Sequence, residues 1–372
     1  MDIFDTPEMA MLRESAARFV ADNAGETDAG RLWARFLDLG WFGLDLPEEK
    51  GGCGLGPAAA VAVMEAMGRG ALASPYLAGS LFAGGILSRC ADAGEALDGL
   101  LRGRLRVAVQ ASLALPPHDV AATGIAAAGD GSSLRLDGEA LLVGWARTDA
   151  ALVAAAAGER DGPALLLLLP VADMAGATVE PLAFADGGEG ARLVLRDAAV
   201  PRGAALAGGD EGRAILDAAR TGALLAAAAD NLGAMQGLFD ATLAYVKLRR
   251  QFGRAIGSFQ ALQFRLTDMW IKLDEARSLV MAATTALAHG EADAARLVAA
   301  AWIQGLWSGR MIAEEAVQMH GAIGMTQECA VGRAFRRMLV NETIFGGEDV
   351  HLRAYDRLTP APAAPEASAA TA

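Results

Sequence analysis

The sequence predicts a mainly α protein with a small β domain at its centre, and three observations support this. Apolar residues recur at helical spacing from Thr6 to about Val107. From roughly Val109 to Gly208 the pattern breaks into short apolar runs, each ending in Gly or Pro. From about Asp210 to Leu358 the helical period returns, with few breakers. The expected organisation is an N-terminal helical domain at 1–108, a middle β domain at 109–208, a C-terminal helical bundle at 209–358 and a disordered tail at 359–372. A chain of 372 residues is long enough to bury the cores that this requires.

The elements follow in order. Pro7 sits where a first helical turn tolerates it, and Met11, Leu12, Ala16 and Phe19 mark a core-facing stripe. The segment WARFLDLGWFGLDLP (33–47) is an amphipathic helix stopped by Gly40, and its WFGLDLP aromatics read as core. PEEKGGCGLGP (47–57) is a loop, since four glycines and two prolines do not continue a helix. VAVMEAMGRG resumes the helical period. SLRLDGEALLVG, AALVAAAAG, ALLLLLP and ARLVLRDAAVP read as strands, and Asp137-Gly138 between two apolar runs predicts a hairpin turn. The closing TPAPAAPEASAATA is rich in Pro, Ala and Ser. No fixed-period repeat is present.

Composition excludes several function classes. Forty-five acidic against thirty-two basic residues give a net charge of −13, which leaves no electrostatic footprint for nucleic acid. Cys53, Cys90 and Cys329 lie far apart with no CxxC pair, and the four histidines lack metal-ligand spacing, so neither a disulfide framework nor a metal site is expected. Mean hydropathy is high at +0.29, but the excess is alanine. The most apolar stretch, 214–229, contains Asp217 and Arg220, and no run reaches the roughly 20 apolar residues that span a bilayer. The acidic start MDIFDTPEMAMLRE lacks the basic n-region of a signal peptide, so a cytoplasmic protein is expected.

Three motifs carry chemistry. Tyr245 to Met269 reads YVKLRRQFGRAIGSFQALQFRLTDM. An arginine offers a diphosphate a planar, permanently charged fork, Gln260 offers an amide, and Gly253 and Gly257 let the backbone turn. On spacing alone, Arg249 and Arg250 read as a solvated helix end and Phe252 as core. The segment resembles the acyl-CoA dehydrogenase pattern R-x-x-F-G-x-x-I-x-x-F-Q, matched by Arg249, Phe252, Gly253, Ile256, Phe259 and Gln260. AVQMHGAIGMTQECAVGRAFRRM (316–338) resembles the family's Q-x-H-G-G-x-G-x-T-x-E segment, with Ala322 in place of the second Gly. LDLGWFGLDLPEEKGGCGLG resembles its N-terminal signature. The ending ETIFGGEDVHLRAYDRL is most similar to the small-subunit branch typified by pimeloyl-CoA dehydrogenase.

The resemblance implies an N-terminal helical domain, a small β domain and a C-terminal four-helix bundle, with FAD as cofactor and an acyl-CoA thioester as substrate. It also implies a homo- or hetero-oligomer with an acyl-CoA dehydrogenase relative, and an electron-transfer flavoprotein as electron acceptor. In the family the first motif reaches a neighbouring subunit's FAD. The implied cofactor contacts are therefore Arg249, Gln251, Phe252 and Gln260, with Gln318 and Gly321 on the same side. His320 reads as a packed imidazole, and Glu314, Glu315, Arg333, Arg336 and Arg337 as charged helix faces.

The catalytic positions depart from the family. Dehydrogenation needs a polarised thioester, a carboxylate to take the α-proton and a flavin to accept the β-hydride. The family's Y-E-G-T element is represented by Phe345, Gly346, Gly347 and Glu348, so glycine occupies the base position. The family's other base position holds Ala223, beside Leu224 where relatives carry a CoA-side arginine. Leu142 and Gly144 stand near the Trp and Thr expected against the flavin ring. Glu348 and Asp349 are displaced carboxylates. Asp230, seven residues after Ala223, shares its helix face about 10.5 Å further along and is expected to point into the acyl cavity. No catalytic residue is assigned. Three readings stay open: a base-lacking subunit of a heteromeric enzyme, a self-sufficient dehydrogenase with a relocated carboxylate, and a flavin-free scaffold.

Overall fold

The computed structural model describes residues 4, 6–116, 124–129, 132–157, 164–171, 174–326 and 329–359. Five helices come first: α1 (Pro7–Asp22), α2 (Ala29–Asp38), α3 (Pro57–Arg69), α4 (Ala83–Leu87) and α5 (Gly94–Leu101). A π-helical turn, Tyr76–Phe82, runs directly into α4. Thr6 caps α1 by accepting from the Met9 amide, with Pro7 in the first turn, and Asp28 caps α2 through the Arg31 amide. The core face of α1 is Met9, Leu12, Ala16 and Phe19; Met11, expected on it, is 71% exposed. Residues 9, 12, 16 and 19 follow the 3.6-residue period, and position 11 falls on the opposite face. Trp41 and Phe42 are buried as expected, with Trp41 5.0 Å from Phe19 and its carbonyl accepting from the Tyr76 hydroxyl at 2.8 Å.

Eight strands follow: β1 (Val107–Gln110), β2 (Ile125–Ala128), β3 (Ser133–Val143), β4 (Ala150–Ala157), β5 (Ala164–Leu169), β6 (Ala177–Ala183), β7 (Glu189–Pro201) and β8 (Ala205–Gly208). They form one sheet in the order β6-β7-β3-β1-β4-β5-β8, with β2 against β3 and β4. Asp137-Gly138 is not a hairpin turn. Strand β3 runs straight through it, with a register irregularity against β7 between Leu136 and Gly138. The same chemistry serves a different end: the Asp137 carboxylate accepts from the Asp197 amide at 2.8 Å, and a Cβ on Gly138 would lie 1.9 Å from the Gly124 carbonyl oxygen.

The 40-residue α6 (Gly209–Leu248) leads to a short hairpin, β9 (Arg250–Gln251) and β10 (Arg254–Ala255). Then come α7 (Gln260–His289), α8 (Ala294–His320), α9 (Ala330–Phe345) and α10 (Glu348–Leu358). Between Ala219 and Phe239 helix α6 is buried on nearly every side, and it packs on both helical regions. Its crossing with α3 is made by glycine: a Cβ on Gly68 would fall 1.8 Å from the Asp230 carbonyl oxygen, and one on Gly233 1.9 Å from that of Glu65. Among the described residues no helix is long and apolar enough to cross a membrane. The expected tail lies, from residue 360 onward, outside the described residues.

Candidate active site

The first motif forms a projecting hairpin. Helix α6 ends at Leu248, and the Ile256 amide returns to the Arg249 carbonyl at 2.8 Å, closing the stem. Phe252 and Gly253 form its two-residue turn with φ of 50° and 80°, the left-handed pair that matches strand twist. Phe252 is 89% exposed, so it is not core. Arg249, Arg250, Gln251 and Arg254 are exposed as well, and Gln260 is exposed at the start of α7. Arg254 lies over the Phe259 ring at 4.0 Å. Among the described residues Arg249, Arg250 and Arg254 form no ion pair. Three uncompensated guanidiniums and an exposed aromatic ring on a projecting turn fit the diphosphate and adenosine end of FAD.

Gln318 and Gly321 are brought to the same flank. The His320 ring stacks on Tyr245 at 4.3 Å, joining the ends of α8 and α6, while its Nδ1 is bonded to the Ala316 carbonyl at 2.8 Å. That is the packed imidazole expected of it. Gln318 is exposed, and Gly321 ends α8 with φ of 69°. Arg265 of α7 pairs with Glu315 of α8, so Glu315 braces two helices.

The positions for a base are apolar. Ala223 and Leu224 are buried on α6. Gly346 ends α9 at φ of 93°, its carbonyl accepts from Trp302 Nε1 at 3.0 Å, and a Cβ there would lie 3.0 Å from the Leu115 side chain. A side chain at 346 would thus be held in a strained backbone conformation, which disfavours a carboxylate there. Glu348 accepts from Trp307 Nε1 at 2.7 Å on the outer side of α8, and Asp349 is exposed on α10.

Asp230 corrects an expectation. It is 0% exposed and does not line a cavity for an acyl chain: its Oδ2 accepts from Arg337 Nε at 2.8 Å and from Asn341 Nδ2 at 2.6 Å. Arg337, expected on a charged helix face, is buried with it and holds Asp186 of the β6–β7 turn at 2.8 Å through Nη1. Burial pushes the Asp230 carboxyl above its ordinary range, against the pull of Arg337.

The two positions expected against this chain's own flavin ring carry no aromatic or hydroxyl group. Leu142 is buried in β3, and a Cβ on Gly144 would meet Ala78 at 3.3 Å. Arg220, one turn before Ala223, is buried between α6 and the turn after β1: its Nε donates to the Leu113 carbonyl at 3.0 Å and Nη1 to Asp217 at 2.6 Å. Burial lowers its pKa. Sequence reading missed Arg220 in this place; its signal was a lone cation in an alanine-rich stretch. The exposed guanidiniums of the hairpin are of the chemistry that suits a diphosphate, while Leu142 and Gly144 offer a flavin ring no polar contact. Residues 117–123, which follow β1 towards β2, lie outside the described residues.

Comparison with known proteins gives the family. The family model for the acyl-CoA dehydrogenase N-terminal domain matches residues 6–93, and that for the C-terminal domain residues 214–357. Acyl-CoA dehydrogenase FadE27 of Mycobacterium tuberculosis is 31% identical over 339 residues, 88% of this chain and 87% of that protein. Acyl-CoA dehydrogenase IpdE2 of the same organism is 30% identical over 346 residues, covering 89% and 90%. The ChsE4-ChsE5 complex from Mycobacterium tuberculosis contains a chain that superposes with a TM-score of 0.83 at 28% identity, over 97% of this chain and 100% of that one. This chain belongs to the acyl-CoA dehydrogenase family.

Proposed function

We propose that this chain is the base-lacking subunit of a heteromeric, FAD-dependent acyl-CoA dehydrogenase, and that it completes the FAD site of a catalytic relative. One observation carries the reading: the diphosphate-binding hairpin is exposed and uncompensated, while positions 223 and 346 are apolar and buried. FAD bound to the partner would supply the acceptor for the β-hydride. Arg249 and Gln251 would neutralise and orient the diphosphate, Phe252 would pack on the adenosine side, and Gln260, Gln318 and Gly321 would close the same edge. The α-proton would go to the partner's carboxylate. A structural relative described as a complex of ChsE4 with ChsE5 supports a two-chain assembly. Against self-sufficiency, Asp230 and Glu348 are bound to Arg337 and Trp307. Against a flavin-free scaffold, the hairpin keeps its cations without carboxylate partners among the described residues.

The test is anaerobic flavin bleaching with a panel of acyl-CoAs, on the protein alone and on its complex with a co-expressed, Glu-bearing relative. Loss of the general base typically slows such chemistry by about 10²–10⁴-fold, so the isolated protein should bleach negligibly and the complex readily. Bleaching by the isolated protein at normal rates would overturn the proposal.

A further inference from the structure

We propose that the groove between α1, α3 and α7 is a binding site for a small amphipathic anion, an alkyl chain ending in a carboxylate. The groove encloses about 640 Å³, within the span typical of small-molecule sites. Its walls are Ala17 and Ala21 of α1 and Ala62 and Ala66 of α3, each pair four residues apart on one helix face, with Val280 and Met281 of α7. Alanine on two of the three faces leaves open the volume that larger aliphatic side chains would fill. The lining extends along α3 from Ala58 to Arg69, about 16 Å at 1.5 Å per residue, so the site suits an elongated chain.

Charge supplies the second half of the argument. Three guanidiniums, Arg13, Arg69 and Arg277, share this groove with one carboxylate, Glu65, in a chain of net charge −13. Arg277 is engaged by Glu65 at 2.7 Å, and Arg69 by Asp240 at 2.6 Å. Arg13 donates to the Phe4 carbonyl at 2.8 Å and has no carboxylate partner among the described residues. Among the described residues it is the groove's guanidinium available to an incoming anion. An apolar helix laid in the groove would strip water from these charges without pairing them. An inorganic anion would leave the alanine walls in contact with water. The site contains none of the flavin contacts, so this inference goes beyond the proposed function and does not depend on it.

Isothermal titration of the full chain with decanoate is the test, with decanamide as the uncharged control. Arg13 and Ala17 are both exposed on α1, so Arg13→Glu and Ala17→Trp leave the buried core untouched. Saturable decanoate binding is expected, with decanamide and the Arg13→Glu variant each weaker by at least about tenfold and the Ala17→Trp variant without binding. Sedimentation of Ala17→Trp should match the unaltered protein. No saturable binding, equal affinity for decanamide, or binding unaffected by Ala17→Trp would each overturn the proposal. A change of assembly size in Ala17→Trp would also overturn it, making the groove a contact between subunits.

Discussion

Arg337 Nε lies 2.8 Å from Asp230 Oδ2 inside the protein, across 107 residues of sequence, and the same guanidinium holds Asp186 at 2.8 Å. One cation therefore joins α6, α9 and the β6–β7 turn. Burial opposes the Arg337 charge, yet the two carboxylates hold its pKa above the ordinary value. Both Asp side chains are essentially without solvent contact, so neither charge has water to fall back on.

Removing the cation leaves those carboxylates buried and unpaired. Arg337→Met should cost about 3–5 kcal/mol of stability, read as the shift of a urea unfolding midpoint. The double variant Arg337→Met with Asp230→Asn should recover part of that loss. A single variant within about 1 kcal/mol of the unaltered protein would show that the bridge contributes little.

Arg249→Ala should weaken FAD retention in the assembled enzyme by about 1.5–3 kcal/mol, the usual worth of a charge-assisted contact. Flavin content and affinity are measured on the purified complex. Because Arg249 is exposed at the base of the hairpin, the variant should unfold at the same denaturant concentration as its parent. Unchanged flavin affinity would remove Arg249 from the site.

How much of this could be read from the sequence depended on distance along the chain. The α1 start, the loop at 47–57 and the four strands rest on local caps, breakers and periodicity, and all are present. The turn at Gly253 was legible through its glycine and the family pattern, but its form as a two-stranded hairpin was not. Asp137-Gly138 was misread because the two residues that favour a turn are also those that a strand irregularity needs. Arg337 and Asp230 were misplaced for a different reason. Their partners lie over a hundred residues away, and no local period distinguishes a charge facing water from one facing another charge.

Asp45 predicts a pH dependence. Burial raises its carboxyl from an ordinary 3.8 to about 6, despite its own backbone hydrogen bond and the opposing pull of Arg89. The folded state thus holds this proton more tightly than the unfolded chain. The resulting stabilisation is complete below about pH 4 and is lost as pH rises towards 6. Asp45→Asn should flatten the slope of unfolding free energy between those values, measured by urea titration at a series of pH. An unchanged slope would place the effect elsewhere; Asp230, raised in the same direction, is the next candidate.

Helices α7 and α8 expose Phe264, Trp270, Ile271 and Trp307, large apolar side chains on the outer surface of a single chain. Such surface is expected to be covered in an oligomer. Trp270→Glu should shift sedimentation towards smaller species, while the unaltered protein runs as a multimer. A monodisperse monomer before substitution would refute the expectation.

Where α3 meets α6, Gly68 and Gly233 put backbone against backbone, and Gly237 adds a third approach, with a Cβ there 2.5 Å from the Arg69 carbonyl oxygen. A joint made of side chains can slip by rotamer changes; one made of main chain has no such play. The helix bearing positions 220–230 is therefore clamped to the N-terminal helices like a shaft in a keyed collar. Whatever a partner subunit does on docking, it meets a rigid face at this crossing, and any adjustment must come from the loops at either end of α6.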